Sequence, residues 1–432
     1  MRNILEQRGL RLVFTANLIS MIGSGLNSAG VTWFVLQKTH SETALGLMLM
    51  LQTIPAMLML PFSGVVIDRK DRRHLVMFLD ASRGLVVLAI AVLALLGKAA
   101  LWQVYLMSVL VAAGFWMFWP TMNALIQELT PESGFAHANS FILAGFQGGW
   151  LIAGAVVGFV YNHIGLSGVL FIDFLSYVVS FSCYLFVREG KVVVAHPVTV
   201  HHESEVARFF HEMREGIAYI RQRPRLFFLG TAWALFMGGM LTQGIITAPF
   251  SDRLLKAGAV GYGWLNSGWA VGACAMALFT PRLLRHTGHR RAIGGAMALL
   301  GCCLISLPYV GTYLHHPFHI FGFLVTAGLM LAVIIYLIMG CCRAYGGVAI
   351  TSGMMELVPK HFMGRVQNTF YFAATALQLG LSMLVGSIAH RRGLAPAFAI
   401  VGSLYLLACL SGTWPAADML TPAEEKHLVG QA

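Results

Sequence analysis

The most highly charged short segment of the sequence is Gly-Val-Val-Ile-Asp-Arg-Lys-Asp-Arg-Arg at positions 64–73, which lies between two long apolar stretches. Its acid, Asp68, can face the unpaired N–H groups at the start of a helix, and its arginines can bridge to neighbouring helix ends. A loop this short between apolar stretches indicates a membrane surface, and its basic residues indicate the cytoplasmic one. The segment is therefore a topological marker and a candidate for charged contacts between helices.

Acids inside apolar stretches form a second group of candidate residues. Asp80 and Asp173 fall within such stretches, whereas Glu128 and Glu356 lie at cytoplasmic ends of two others. An acid in a bilayer is costly and often functional, so these four are candidates for ion coupling. Asp80 lies three residues from Arg83, which favours a structural ion pair on one helical turn. For Asp173 we favour an interhelical hydrogen bond, with proton binding as the open alternative.

Polar side chains scattered through the apolar stretches form a third group. Four of them recur at spacings of three and four and therefore share one face of the first helix: Asn17, Ser20, Ser24 and Asn27. That face points inward, where it either holds helices together or lines a cavity. The candidates for lining a ligand cavity are Asn17, Ser24, Asn27, Gln52, Asn123, Gln147, Trp150, Gln243, Asn266, Arg343 and Gln378. Arg343 would favour an anionic or zwitterionic ligand, and a snorkelling or helix-kink role is the alternative.

The composition identifies the elements that must position these residues. Apolar residues make up 57% of the chain and charged residues 11%, far below the roughly one-quarter that is usual in soluble domains. The apolar runs are continuous over about 20 residues or more, which is typical of membrane helices and not of barrel strands. The sequence therefore predicts an all-α integral membrane protein.

Twelve apolar runs predict twelve transmembrane helices, six on each side of a polar linker. We place them at 12–36, 43–67, 75–96, 101–127, 137–160, 165–187, 226–250, 258–284, 292–313, 318–345, 365–389 and 394–414. The linker, 188–225, contains apolar residues at helical spacing and predicts an amphipathic helix on the inner membrane surface. The predicted domains are a six-helix bundle at 1–187, the linker at 188–225, a second bundle at 226–416 and a cytoplasmic tail at 417–432.

The net charge of +11 follows the membrane topology. Lys and Arg are concentrated in alternate loops, which places both termini in the cytoplasm and argues against a nucleic-acid surface. The seven cysteines have no metal-ligand spacing, and His315, His316 and His319 lack a further nearby ligand, so we predict no metal site. No P-loop, HExxH or GxSxG motif is present, and we therefore predict neither an enzyme nor a bound cofactor.

The two halves are related by an internal repeat with an offset of 228 residues. Glu128, Leu129 and Pro131 align with Glu356, Leu357 and Pro359, and further matches continue through the next two predicted helices. Two parallel halves joined by a cytoplasmic linker are typical of a transporter that rocks around a central site.

Segment 64–73 resembles the motif G-x-x-x-D-R-x-G-R-R of the major facilitator superfamily, with Asp71 in place of the usual glycine. The resemblance implies the twelve-helix fold of that superfamily, with two pseudo-symmetric six-helix bundles. It also implies a gating motif that latches the two halves on the cytoplasmic side: Gly64, Asp68, Arg69, Arg72 and Arg73. The alternative is that the arginines only fix the topology and bind anionic lipid.

Further segments resemble the branch of bacterial macrolide-efflux proteins and the enterobactin exporter. They are Pro55, Glu128-Leu129-Thr130-Pro131, Phe171-Ile172-Asp173, Glu215-Gly216-Ile217 and Gly364-Arg365-Val366. This resemblance implies a location in the bacterial cytoplasmic membrane and efflux driven by proton antiport. The chain departs from relatives that carry an acid near the position of Ser24, so antiport rests on the resemblance alone.

We therefore expect a monomeric secondary active transporter that exports a small amphipathic compound, drug-like or siderophore-like, by alternating access. Its energy source would be a proton or other ion gradient, and its partners would be that substrate and the membrane lipids. The alternatives are a carrier of lysophospholipid or other lipid, a metal or metabolite carrier and, from another class, a sensor or scaffold that does not transport.

Overall fold

A computed structural model of the protein describes residues 8–130, 135–187, 205–314, 317–320 and 323–414. The α-helices in these ranges are α1 Arg8–Thr39, α2 Glu42–Arg69, α3 Arg72–Leu95, α4 Leu101–Leu129, α5 Phe135–Leu185, α6 Glu205–Arg221, α7 Pro224–Thr242, α8 Gly244–Pro249, α9 Gly258–Tyr313, α10 Ala327–Leu357, α11 Lys360–Arg392 and α12 Leu394–Gly412. A π-helix, Phe250–Leu254, follows α8, and strands β1 Pro317–Ile320 and β2 Phe323–Thr326 form an antiparallel hairpin.

Ten helical stretches in the described part of the chain are long and apolar enough to cross a membrane. Both α5 and α9 contain two of the predicted spans, which are separated by a kink at a glycine with positive φ: Gly165 at 63° and Gly288 at 73°. A residue with a side chain is strained in this region, whereas glycine adopts it freely. The predicted all-α membrane fold is confirmed.

The predicted start of the tenth span, Phe318, is wrong. Residues 317–320 and 323–326 are strands, and α10 begins only at Ala327, where the Thr326 hydroxyl accepts a hydrogen bond from the Leu329 N–H (3.2 Å). The aromatic and β-branched residues of this segment favour strands, although they also extend the apolar run that suggested a helix. At its other end α10 continues to Leu357, beyond the predicted Tyr345, and stops before Pro359.

The described residues form two compact units. The first contains residues up to Glu205 together with Thr247–Ala270, and the second contains Val206–Ile246 and the chain from Val271 onward. These units are defined by contacts between residues, whereas the predicted domains are consecutive segments of the chain. The predicted domain boundaries therefore stay a prediction.

In the first unit, small residues bring helices into close contact. A Cβ added to Gly25 of α1 would lie 2.6 Å from the Cβ of Ala153 in α5. The start of α9 also packs here, with the rings of Trp33 and Tyr262 stacked 6.3 Å apart. A cluster of buried apolar residues lies between α1, α3, α4 and the end of α5, and it includes Leu10, Val13, Val76, Phe118, Met122 and Tyr184.

The second unit contains α7, the part of α9 from Val271 onward, α10, α11, α12 and the amphipathic helix α6. Gly238 of α7 lies against Leu377 of α11, and the rings of Phe236 and Tyr405 are 6.2 Å apart. Helix α6 runs along α11 at Gly216, where an added Cβ would be 3.0 Å from the Arg365 carbonyl oxygen.

The offset of 228 residues also appears in the backbone. Helices α4 and α10 end at Leu129 and Leu357, and Gly165 and Gly393 both have positive φ, 63° and 88°. Corresponding positions in the two halves therefore end helices and turn the chain in the same way.

Candidate functional site

Three charged side chains come together inside the apolar helices of the first unit. Asp80 and Arg83 lie one turn apart on α3, and Asp173 lies on the second half of α5. Their exposed fractions are 0%, 2% and 0%. With their hydrogen-bonding neighbours Asn27, Ser176 and Ser180 they form what we call the buried charge cluster.

Asp80 has strong donors on both carboxylate oxygens. Arg83 Nη2 donates to Asp80 Oδ1 at 2.5 Å, and the Ser180 hydroxyl of α5 donates to Oδ2 at 2.6 Å. The predicted ion pair on one helical turn is therefore present, and it is fully enclosed. Because opposite charges are paired here, Asp80 and Arg83 together bring no net charge into the membrane.

Arg83 is held in place by rings and by a glycine. Its guanidinium carbon lies 4.3 Å from the ring centre of Phe118 and 4.8 Å from that of Tyr177, which is cation–π geometry. A Cβ added to Gly114 of α4 would lie 2.7 Å from Arg83 Cγ, so glycine leaves the room that the arginine stem occupies. Arg83 Nη1 is buried and has no hydrogen-bond partner in the described part of the chain.

Asp173 has different partners. Asn27 Nδ2 of α1 donates to Asp173 Oδ2 at 2.6 Å. The Ser176 hydroxyl donates to the backbone carbonyl oxygen of Asp173 at 2.7 Å and lies 3.4 Å from Oδ1. Gly23 lies opposite, where an added Cβ would be 2.6 Å from Oδ1. Among the described residues, no basic side chain lies within 4.0 Å of this carboxyl group, so its near neighbours are neutral. The favoured interhelical hydrogen bond of Asp173 is present.

Two arginines of segment 64–73 join helix ends within the first unit. Arg72 Nη1 pairs with Glu128 Oε1 at the end of α4 (2.6 Å), which places one of the four candidate coupling acids in an ion pair. Arg73 donates to the carbonyl oxygens of Tyr184 and Leu185 (2.8 and 2.6 Å), at the end of α5. Cations near carbonyl ends of helices are favourable.

The remaining predicted gating residues are Gly64, Asp68 and Arg69. Their backbone lies in α2, but the side chains of Asp68 and Arg69 lie outside the described residues, so the contacts of the three residues stay a prediction.

Asp71, which departs from the glycine of the motif, has a local role. It is the N-cap of α3, and its side chain accepts a hydrogen bond from the His74 N–H at 3.1 Å. Partial burial raises the pKa of Asp71, but hydrogen bonds and charge from His74 outweigh that effect and bring the pKa below its usual value.

The candidate cavity residues of the first unit do not form one lining. Asn17 is fully buried against Gly145 of α5, and Ser24 and Asn27 face Tyr177 and Asp173. The others are dispersed: Gln52 and Asn123 are half-buried, Trp150 is exposed, and Asn266 bonds to its own helix at the Tyr262 carbonyl. The side chain of Gln147 lies outside the described residues.

In the second unit, Arg343 and Gln243 lie near the same tyrosine. Tyr405 donates to Gln243 Oε1 at 3.4 Å, and Arg343, which interacts electrostatically with Tyr405, bonds through Nε to the sulfur of Met240 at 3.1 Å. Gln378 is buried in α11. Glu356, a candidate coupling acid, lies 3.5 Å from His289 Nε2 and is largely exposed.

Sequence reasoning missed some residues that the structure brings together. Ser176 and Ser180 lie three and seven residues after Asp173, the same helical signal that identified the face of α1. Glu42 and Arg253 gave no such signal because 211 residues separate them, yet Glu42 Oε1 and Arg253 Nη1 are 2.7 Å apart and Glu42 is fully buried. Of the histidines considered, His315 and His316 lie outside the described residues.

Two segments that suggested the efflux branch meet in the second unit. Glu215 of α6 and Arg365 of α11 form an ion pair at 2.7 Å, next to the close approach at Gly216. The linker helix is therefore bound to the beginning of α11 by charge and by close packing.

Comparison with known proteins identifies efflux transporters of similar length. Macrolide efflux protein A of Streptococcus pyogenes is 22% identical over 399 residues, which cover 91% of this chain and 92% of that protein. Multidrug efflux pump Tap of Mycolicibacterium fortuitum is 25% identical over 400 residues, 90% of this chain and 91% of that protein.

Solved structures share the fold at low sequence identity. A point mutant of the nucleoside transporter NupG has a TM-score of 0.72 at 13% identity, and the match covers 96% of this chain and 100% of that one. A bacterial homologue of the iron transporter ferroportin in the inward-facing state has a TM-score of 0.71 at 17% identity, with 95% and 99% covered. A sequence model described as Major Facilitator Superfamily matches residues 13–377. This multi-pass membrane transporter therefore belongs to the Major Facilitator Superfamily.

Proposed function

We propose that this protein is a secondary active exporter that moves a small amphipathic organic compound out of the bacterial cytoplasm by alternating access. Its driving force is an ion gradient, with protons as the counter-ion, and it works as a monomer in the cytoplasmic membrane without a bound cofactor. Two relatives that match about nine-tenths of the chain are named as a macrolide efflux protein and a multidrug efflux pump. Their names support the proposed outward direction of transport and the proposed substrate class.

The buried charge cluster is the observation that carries the proposal of ion coupling. Two carboxyl groups and one guanidinium lie fully inside apolar helices, where charge is costly and where ionisable groups usually mark ion or substrate pathways. Asp80 is neutralised by Arg83, but Asp173 is not paired in this way, so the cluster contains an acid beyond those needed for a structural ion pair. In an ion-driven transporter such an acid can bind and release the coupling ion.

Transport into inside-out vesicles with an acidic interior tests the proposal. The panel comprises a macrolide, ethidium, a catecholate siderophore and lysophosphatidylcholine. We expect at least one amphipathic compound of the panel to accumulate while protons leave the vesicle, and a protonophore to abolish the accumulation. Vesicles without the protein provide the baseline.

Other results would contradict specific parts of the proposal. Accumulation of lysophosphatidylcholine alone would favour a lipid carrier. Transport that depends on a sodium gradient and not on the pH gradient would show that sodium, not the proton, is the counter-ion. If no compound of the panel moves with an imposed ion gradient, the exporter proposal is wrong.

A further inference from the structure

We propose that Asp173 is the proton-binding site of this transporter and that Arg83 compensates its charge when the proton leaves. This inference rests on the proposed proton coupling and assigns it to one carboxyl group. Asp80 and Asp173 are equally buried, so burial alone does not distinguish them. Their hydrogen-bond partners do.

Asp80 is built to remain ionised. One of its oxygens accepts from the Arg83 guanidinium at 2.5 Å and the other from the Ser180 hydroxyl at 2.6 Å. A buried carboxylate that accepts hydrogen bonds from a cation and from a second donor gains most of the stabilisation that its ionised form requires. Adding a proton to Asp80 would leave Arg83 as an enclosed cation without its counter-charge.

Asp173 is built to take up and release a proton. Its nearest partners are the Asn27 amide at 2.6 Å and the Ser176 hydroxyl, both uncharged. An enclosed carboxylate without a paired cation is unfavourable, so the protonated acid is the resting form. An amide has both a donor and an acceptor, and a rotated Asn27 can therefore bond to either form of the acid.

Among the described residues, a single cation, Arg83, interacts electrostatically with Asp173. From α1 it faces Gly23, Ser24 and Asn27, and from its own helix Ser176 and Tyr177. The charged groups are on α3: Asp80 and Arg83, which both interact electrostatically with Asp173. Arg83 uses Nη2 for Asp80, while Nη1 is buried without a hydrogen-bond partner among the described residues. The cation that interacts with Asp173 thus has a spare hydrogen-bond donor.

The proton step breaks the O–H bond of Asp173, leaves the electron pair on the carboxylate and passes the proton to water. The new negative charge is attracted to Arg83 on α3 and repelled by Asp80. The carboxylate is then drawn towards α3, and its contact with Gly23 of α1 changes. Proton occupancy therefore changes how α1 and α5 pack.

The protonation state can be measured without any substrate. Infrared difference spectra of the full chain in lipid, recorded over a pH series, report the carbonyl stretch of protonated carboxyl groups. We expect a band at neutral pH that disappears on alkalinisation, is absent in Asp173→Asn and is retained in the control Glu356→Gln, which removes an exposed acid. Asp80→Asn frees Arg83 and should make the band disappear at a lower pH. A neutral-pH spectrum without the band, or an unchanged band in Asp173→Asn, would overturn the assignment.

The coupling role is tested with the compound that the panel identifies. Asp173→Asn should retain exchange of labelled compound across vesicles without a gradient, and it should lose accumulation driven by the pH gradient. Normal gradient-driven accumulation by Asp173→Asn would overturn the coupling role and leave the exporter proposal intact. If the unmodified protein transports nothing, the exporter proposal fails, while the infrared bands still decide whether Asp173 binds a proton.

Discussion

Gly114 illustrates how a single small residue sets the position of a buried charge. The Arg83 stem lies over it, and a Cβ at position 114 would be 2.7 Å from Cγ and 2.8 Å from Cδ. In a packed interior such an overlap forces the neighbour to move. The neighbour here is the stem of Arg83, whose guanidinium forms the buried ion pair with Asp80.

Gly114→Ala should therefore destabilise the protein by about 1–3 kcal/mol, the usual range for overpacking. The matched control is Gly295→Ala in α9, where no atom lies within 4 Å of an added Cβ. That change should be neutral or stabilising by up to about 1 kcal/mol, because alanine favours the helix. The apparent unfolding temperatures of both variants in one detergent provide the test, and equal effects would contradict the prediction.

Removing the cation of the cluster should cost more than removing the whole ion pair. Arg83→Met leaves Asp80 enclosed without its counter-charge, a change that typically costs about 3–5 kcal/mol. In Asp80→Asn/Arg83→Met no charge of the pair remains, so much of that loss should be recovered. Unfolding temperatures of the single and double variants measure the difference. A double variant no more stable than Arg83→Met would show that the two charges are not coupled.

At the residue scale, the sequence was informative where one helix contains both partners. The Asp80 and Arg83 pair follows from a spacing of three, and the contact of Ser176 with Asp173, which we did not predict, has the same spacing. Partners on different helices were not predictable, because spacing within one helix says nothing of which helix lies opposite. Asn27 was assigned to an inward face, but its bond to Asp173 depends on how α1 and α5 are packed.

At the element scale, helix ends are held by charged contacts between distant parts of the chain. Glu42 begins α2, and Arg253 belongs to the π-helix after α8; Arg253 also donates to the His40 carbonyl oxygen at 2.8 Å. Glu42 is fully buried, while the side chain of Arg253 is 40% exposed. The arginine therefore covers an acid that would otherwise be enclosed alone.

Arg253→Met should lower the stability of the first unit by about 1–3 kcal/mol, the cost of leaving a buried polar group unsatisfied. Water can reach the vacated arginine position, which keeps the effect below that of Arg83→Met. Glu42→Gln/Arg253→Met should be more stable than Arg253→Met, because glutamine carries no charge. The unfolding temperatures of the unmodified protein, the single variant and the double variant test this prediction. It fails if Arg253→Met unfolds at the same temperature as the unmodified protein.

Most helices were predictable because polar loops interrupt the apolar runs. The exceptions have physical causes. Within α5 and α9 the predicted loops are reduced to a kink at one glycine, Gly165 and Gly288, whose backbone angles are not helical and separate the two spans. The tenth span began too early because strand residues in 317–326 are as apolar as helix residues, and hydropathy does not distinguish them.

At the scale of the whole molecule, the two halves share a backbone plan but differ in charge. Helix ends and bends recur at an offset of 228 residues, and so does a buried tyrosine, Tyr177 and Tyr405. Each tyrosine lies near an arginine, Arg83 in the first unit and Arg343 in the second. The acids buried within membrane helices, by contrast, belong in the described chain to the first unit. The duplication could be predicted from the sequence. The difference in buried charge between the two halves could not, because it depends on where the side chains lie.

The topology predicts that the two ends of α3 lie on opposite sides of the membrane. Lys70 and Lys98 flank this helix, and both are exposed. In a background without native cysteines, a membrane-impermeant maleimide should label Lys98→Cys in intact cells and Lys70→Cys only after lysis. Labelling in the reverse order would place the termini outside the cytoplasm.

Residues 247–270 belong to the first unit although they follow the linker in the chain. Gly154 of α5 lies against Ser267, and Trp33 of α1 stacks on Tyr262. The ribosome makes α1 and α5 long before it makes these partners. Part of the helix surface of the first unit therefore stays uncovered until residue 270 has entered the membrane. Completion of the first unit depends on synthesis of residues that follow the linker.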